Sequence, residues 1–273
     1  MPDAIPLPDD PPHEAPRSAA GTGEGSGNAA DVVGPTFRTQ PVSFVRRSGR
    51  LTTAQQKAWD TRRDEYLVEV PRAIARTSVD PAWTFDAEAV FGRRAPLVLE
   101  IGSGQGENVV AAADAHPEKD FVAVEVYLPG LAQTVVRAGQ RRDRRGLTNL
   151  RLLQVNAAEL LATSLPEGSL DELWVFFPDP WHKSRHHKRR LVTPELAALA
   201  ARVLRPGGVW RLATDWVEYA EQMREVCEAD PHLRNAHGPG AAAPRFEGRV
   251  LTAFERKGIA AGRTVTDLEY VRR

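Results

Sequence analysis

One cysteine, Cys227, in 273 residues excludes an internal disulfide and any metal site built from several thiolates, and it suits a reducing cytoplasm. Net charge is missing too: 36 Lys and Arg balance 36 Asp and Glu, so binding to a polyanion has to rest on local clusters. No apolar run approaches the roughly 18 to 20 residues that span a bilayer, so no membrane partner is expected. The opening stretch, MPDAIPLPDDPPHEAP, is acidic and proline-rich, the reverse of a signal peptide. Large apolar residues are nearly absent from Met1 to about Gly34. Such a stretch buries too little surface to offset its conformational entropy, so residues 1–36 are expected to be a disordered Pro/Gly/Ala-rich tail.

What is present is ordinary for a globular chain, with 42% hydrophobic and 26% charged residues and enough length for a sizeable core. Residues 37–95 read as a basic arm, RTQPVSFVRRSGR, and a helical segment with Trp59, Arg63, Tyr66 and Leu67 at helical spacing. From residue 96 to 273 short apolar strands alternate with helices. The strands are LVLEI, FVAVEV, LRLLQV, ELWVFF and VWRLAT; Thr193 and Pro194 start one helix, and Asp215 stands at the N-cap of another. The segments RVLTAFE and RTVTDLEYV are expected to add two edge strands. This predicts an α/β fold with a doubly wound, mostly parallel seven-stranded sheet.

The first strand runs into a glycine turn, LEIGSGQGENVV, with Gly102, Gly104 and Gly106 letting the backbone turn sharply and approach a ligand. Its spacing is G-x-G-x-G, unlike that of dinucleotide binders, and Glu100 ends the strand. A carboxylate there suits a cationic amino acid and poorly suits a pyrophosphate. Glu125, ending the second strand, stands where an acid accepts from ribose hydroxyls, and Asn156 stands where an adenine edge is met. Together these describe S-adenosylmethionine. Either acid alone is equally well read as a loop residue capping a helix.

The fourth strand leaves through FFPDPWHKSRHHKRR. Pro178 and Pro180 stiffen a loop that presents Asp179 to a base's N–H groups, and Trp181 offers a stacking face. Lys183, Arg185, Lys188, Arg189 and Arg190 follow, and a second run holds Arg137, Arg141, Arg142, Arg144 and Arg145. Two cationic strips near one site favour a polyanion. The bland alternative is a structural turn and a solvated basic helix start. His182, His186 and His187 lack companions for a metal site, so no metal is expected.

The motifs LEIGSGQG, VEVY, FFPDPWHKSRHHKRRL, LATDW and LTAFERKG resemble those of the bacterial tRNA (guanine-N7-)-methyltransferases, over roughly Phe37 to Arg273. The resemblance implies a Rossmann-like S-adenosylmethionine-dependent fold and methyl transfer to N7 of a guanine in the tRNA variable loop. It also implies a cytoplasmic monomer or homodimer with tRNA as partner. It assigns Glu100, Gly102, Gly104, Glu125, Asn156 and Asp179 to the cofactor, with Asp179 also catalytic. Lys183, Asp215, Thr252, Ala253, Phe254 and Glu255 fall to the substrate. The family more often has Asp where Asn156 stands, and the N-terminal extension is not part of the shared pattern. Two other classes fit the residues: a methyltransferase for a small acidic molecule, and a non-catalytic RNA-binding protein on the same fold.

Overall fold

The computed structural model describes residues 49–141 and 146–273. By packing, the chain separates into Met1–Thr36 and Phe37–Arg273, and the first unit lies wholly outside the described residues. So do the basic arm as far as residue 48 and Arg142, Arg144 and Arg145 of the second basic run.

Helix α1 (Thr53–Tyr66) starts at a capping box, in which Thr52 Oγ1 accepts from the Gln55 amide and Gln55 Oε1 accepts from the Thr52 amide. It buries Trp59 and Tyr66 and leaves Arg63 exposed. A short α2 (Ala87–Phe91) precedes the alternating part of the chain. There follow β1 (Leu97–Ile101), α3 (Glu107–Ala115), β2 (Asp120–Val124), α4 (Leu128–Gly139) and β3 (Leu150–Leu153). Next come α5 (Ala157–Glu159) with a π turn, β4 (Leu170–Phe176), a 3₁₀ helix (Ser184–Arg189), α6 (Pro194–Val203) and β5 (Leu204–Thr214). The chain closes with α7 (Val217–Ala229), β6 (Leu233–Asn235), α8 (Ala253–Ala260) and β7 (Thr266–Arg272).

Among the described residues, seven strands form one mixed sheet in the order β3-β2-β1-β4-β5-β7-β6. Strands β1 to β5 pair in parallel, and β7 runs antiparallel to both its neighbours. The two expected edge strands are corrected here. RVLTAFE leads into a helix, because Thr252 caps α8 by accepting from the Glu255 amide at 3.2 Å. RTVTDLEYV is a strand, but an interior one, and the edge beyond it is the three-residue β6.

The pleat of β1 sorts the core. Leu97, Leu99 and Ile101 join the side covered by α6 and α7, with Leu196, Ala200, Tyr219 and Met223. Val98 joins the opposite side, with Trp59, Val109, Leu131, Val135 and Trp174 beneath α1, α3 and α4. Each large apolar side chain so buried contributes roughly 1.5 to 3 kcal/mol. Alternation puts Glu100 on the Val98 face, where α3 begins.

Candidate active site

Register decides which loops meet. Ile101 pairs with Val124 of β2 and with Val175 of β4, and Phe176 pairs with Ala213 of β5. The loops that open with Gly102, Glu125, Phe177 and Asp215 therefore leave the sheet at one edge, as expected for the carboxyl ends of parallel strands.

Gly102 and Gly104 have φ of +71° and +57°, a conformation that side-chain-bearing residues rarely adopt; open space lies where a Cβ on Gly102 would project, and one on Gly104 would come no closer than 4.0 Å to the Gly102 carbonyl oxygen. Across the turn, a Cβ on Gly130 of α4 would run into the Gly104 carbonyl. Glu125 holds this arrangement. Its Oε2 accepts from the Gly104 amide at 2.9 Å, and its Oε1 accepts from the Val126 and Tyr127 amides at 2.8 and 2.9 Å. A carboxylate offers about four acceptor positions, so about one is left for a ligand. Burial lifts the Glu125 carboxyl above its ordinary range; the three amides oppose this and Asp179 adds to it.

Glu100 is 4% exposed, and its Oε2 has no hydrogen-bond partner among the described residues. Burial pushes its pKa up to about 8, tempered by nearby Asn108 and the Val109 amide and reinforced by Glu125. Asn156 caps α5: its Oδ1 accepts from the Ala158 and Glu159 amides at 2.9 and 3.3 Å. Its amide nitrogen, rather than its oxygen, is then what remains to meet a ligand.

Asp179 is exposed and has neither hydrogen bond nor ion pair among the described residues. The loop carrying it is strained at both ends, with Phe177 at φ +52° and Trp181 at φ +47°. Asp215 is not the expected N-cap. Trp216 takes that position, and Asp215 Oδ2 accepts from Arg263 Nε at 2.7 Å. Helix α8 closes the far side of the loop, where the Phe254 ring lies 5.4 Å from that of Phe177. Glu255 is buried and faces inward, paired with Arg249 at 2.7 Å and Arg245 at 3.2 Å.

A family model described as "Putative methyltransferase" matches residues 94–268. A tRNA (guanine-N(7)-)-methyltransferase of Paenarthrobacter aurescens is 46% identical, covering 87% of this chain and 93% of its own. That of Cutibacterium acnes is 46% identical over 99% of this chain and 98% of its own. The chain belongs to the tRNA (guanine-N7-)-methyltransferase family. Among solved structures, the 16S rRNA methyltransferase KamB is similar with a TM-score of 0.51, covering 74% of this chain and 97% of its own. At 19% identity that likeness is one of fold alone.

In this tRNA (guanine-N7-)-methyltransferase family chain the basic run after Asp179 divides in two. Lys183, Arg185 and Lys188 are exposed. Arg189 lies over the Trp181 ring at 5.1 Å, so one face of that ring carries a cation. The Arg190 side chain is only 1% exposed. It donates to the Pro180 carbonyl at 2.8 Å and to Gln222 Oε1 at 2.6 Å, and sits over Tyr219 at 4.9 Å. Arg190 therefore pins the Pro-Asp-Pro loop to α7, which corrects its place in a phosphate-facing strip. In the second run, Arg137 pairs with Glu107 and Arg141 with Asp114. Sequence reasoning missed Asn108 and Arg249; a polar residue in the first turn after a glycine loop was the available signal for the former.

Arg190→Ala is expected to lower stability by on the order of 3 kcal/mol, because it removes a buried guanidinium's charge-assisted bonds to part-buried acceptors. Lys188→Ala should leave it unchanged. Denaturant unfolding of the two variants checks this, and equal midpoints would show that Arg190 does not anchor the loop.

Proposed function

We propose that this chain transfers the methyl group of S-adenosylmethionine to N7 of a guanine in the variable loop of tRNA. The observation that carries the reading is the meeting, at one sheet edge, of a glycine turn beside an unpartnered buried acid and a rigid loop presenting a lone Asp179. The donor set suits the cofactor: Glu100 Oε2 lacks a partner that an ammonium provides, and the open, positive-φ turn at Gly102 and Gly104 leaves room for its amino acid end.

When bound, the cofactor supplies an electrophilic methyl on a sulfonium. Glu100 holds the ammonium, the remaining acceptor position of Glu125 takes a ribose hydroxyl, and Asn156 meets the adenine through its amide nitrogen. Guanine N7 carries a lone pair and no proton, so no strong base has to be generated. Catalysis then falls to alignment and to offsetting the positive charge the base acquires. Asp179 does both by accepting from the base's ring N–H and amino group. Phe254 and Thr252 border the base, Ala253 starts the helix that holds them, and Asp215 and Glu255 fix the wall behind through Arg263, Arg249 and Arg245. Lys183, with Arg185 and Lys188, faces phosphates.

We assign residues 96–273 to the catalytic domain, with a Rossmann-like sheet of the S-adenosylmethionine-dependent type, and the preceding 37–95 to a basic arm and N-terminal helical segment. The reaction belongs in the cytoplasm, where tRNA is modified, and a buried free Cys227 fits that compartment. A lone-pair nucleophile needs no metal to activate it. The reading holds for a monomer or a homodimer alike.

Incubation with methyl-labelled cofactor and unmodified tRNA, followed by cleavage at methylated guanine, should place the label at one variable-loop guanine; no label, or label elsewhere, overturns the reading. Asp179→Asn is expected to lower turnover by roughly 10²-fold while tRNA affinity stays within a few-fold. Turnover near wild type would reduce the loop to a structural turn.

Removing a cation that meets one phosphate should flatten the plot of log affinity against log salt by about 0.7 to 0.9 units. Replacing Lys183, Arg185 and Lys188 together with alanine is therefore expected to flatten it by at least one such unit with no change in melting temperature. An unchanged slope in a filter-binding titration would remove this strip from the RNA interface.

A further inference from the structure

Two consecutive side chains just past the glycine turn reach across to the segment that enters α8. Asn108 Oδ1 accepts from the Val250 amide at 3.2 Å, and Glu107 Oε2 accepts from the Ala253 amide at 2.8 Å. Ala253 is the first residue of α8, so its N–H is one of those a helix leaves without an internal partner. A carboxylate from the cofactor-side helix satisfies that donor and favours the positive end of the helix dipole. The other oxygen of Glu107 is held by Arg137 of α4 at 3.2 Å, so its position is set by two helices at once.

Asn108 is the more telling of the pair. It is 3% exposed, and its Nδ2 has no hydrogen-bond partner among the described residues. Glu100 Oε2 lacks one as well by geometry, and the Asn108 side chain is close enough to it to hold the Glu100 pKa down. One amide thus stands between the acid that the cofactor's ammonium meets and the strap that positions Thr252, Phe254 and Glu255. The Val250 N–H can only donate and already favours Oδ1 toward the strap; a neutral Glu100, able to donate or accept, adds little to that preference. An ionised Glu100 only accepts. It then selects the orientation with Nδ2 toward the acid and Oδ1 toward the Val250 N–H, and charge assistance strengthens that bond.

We propose that Asn108, together with Glu107, couples the two halves of the site: filling the Glu100 side locks the Val250–Ala253 strap and with it the placement of α8 against the RNA. Both are positioning residues, acting through Glu100 and through backbone amides rather than on the reacting atoms. The inference rests on the reading of S-adenosylmethionine and tRNA given above. It predicts that the two ligands bind cooperatively and that the cooperativity, more than either affinity alone, depends on these two side chains.

The test measures tRNA affinity of the full chain with and without saturating S-adenosylhomocysteine, for wild type, Asn108→Ala and Glu107→Ala. Wild type is expected to bind tRNA about tenfold tighter when the cofactor product is present. In each variant the ratio should fall to within about twofold of unity, with tRNA affinity in the absence of cofactor largely kept. A wild-type ratio near one, or an undiminished ratio in both variants, overturns the coupling alone. If Asn108→Ala loses its cooperative melt, Glu107→Ala decides by itself: a reduced ratio supports the strap and an unchanged one defeats it. A wild type that binds neither ligand defeats the functional reading and the coupling together.

Discussion

Carboxyl groups that gather without a cation are costly, and this molecule gathers three at one edge of its sheet. Glu100 ends β1, Glu125 follows β2 and Asp179 follows β4; Glu100 is raised by Glu125, and Glu125 by Asp179. None of the three is ion-paired among the described residues, although Asp215 at the same edge, and Asp120 and Asp267 elsewhere, are held by arginines. A native state keeps such a cluster when something outside the chain completes it. The rest of the site follows from that constraint: the glycine turn bonded to Glu125, the loop pinned by Arg190, and α8 held by Glu107 and Asn108.

Much of the fold was legible because parallel strands buried on both faces print continuous apolar runs. LVLEI and FVAVEV became β1 and β2, and Thr193 with Pro194 opens α6 as expected. The C-terminal region was misread because VLT is β-branched and apolar, and the Thr252-x-x-Glu255 helix start was outweighed by it. The short β6, LRN, carries too little pattern to be seen at all.

The site was legible in its residue types and less so in their roles. Glu100, Glu125 and Asp179 do converge, since strand order places β1 between β2 and β4. What a linear reading does not carry is the partner each side chain takes in space. Asn156 spends its oxygen on a helix cap, Arg190 turns from the expected phosphate strip toward Pro180, Arg189 lies over Trp181, and Glu255 is taken up by Arg249. These partners lie within ten residues along the chain, yet which one a side chain takes is set by how its loop folds, and a run of charges in sequence does not say which of its members is buried.

Burial holds Glu100 neutral in the free protein, and a cationic ligand would ionise it. Its folded pKa of about 8 lies above the ordinary value of 4.5, so the stability it contributes is fully present below about pH 4.5 and is lost as pH rises through 8. At pH 7 it therefore carries its proton in the free protein, and an adjacent ammonium, itself still protonated there, draws the pKa down and expels that proton. Calorimetry of S-adenosylmethionine binding at pH 7, in two buffers of different ionisation enthalpy, counts it directly. Release of about one proton per cofactor is expected for wild type and close to none for Glu100→Gln. Binding by wild type with no proton release, or equal release by both proteins, would show that Glu100 does not give up a proton when the ligand binds.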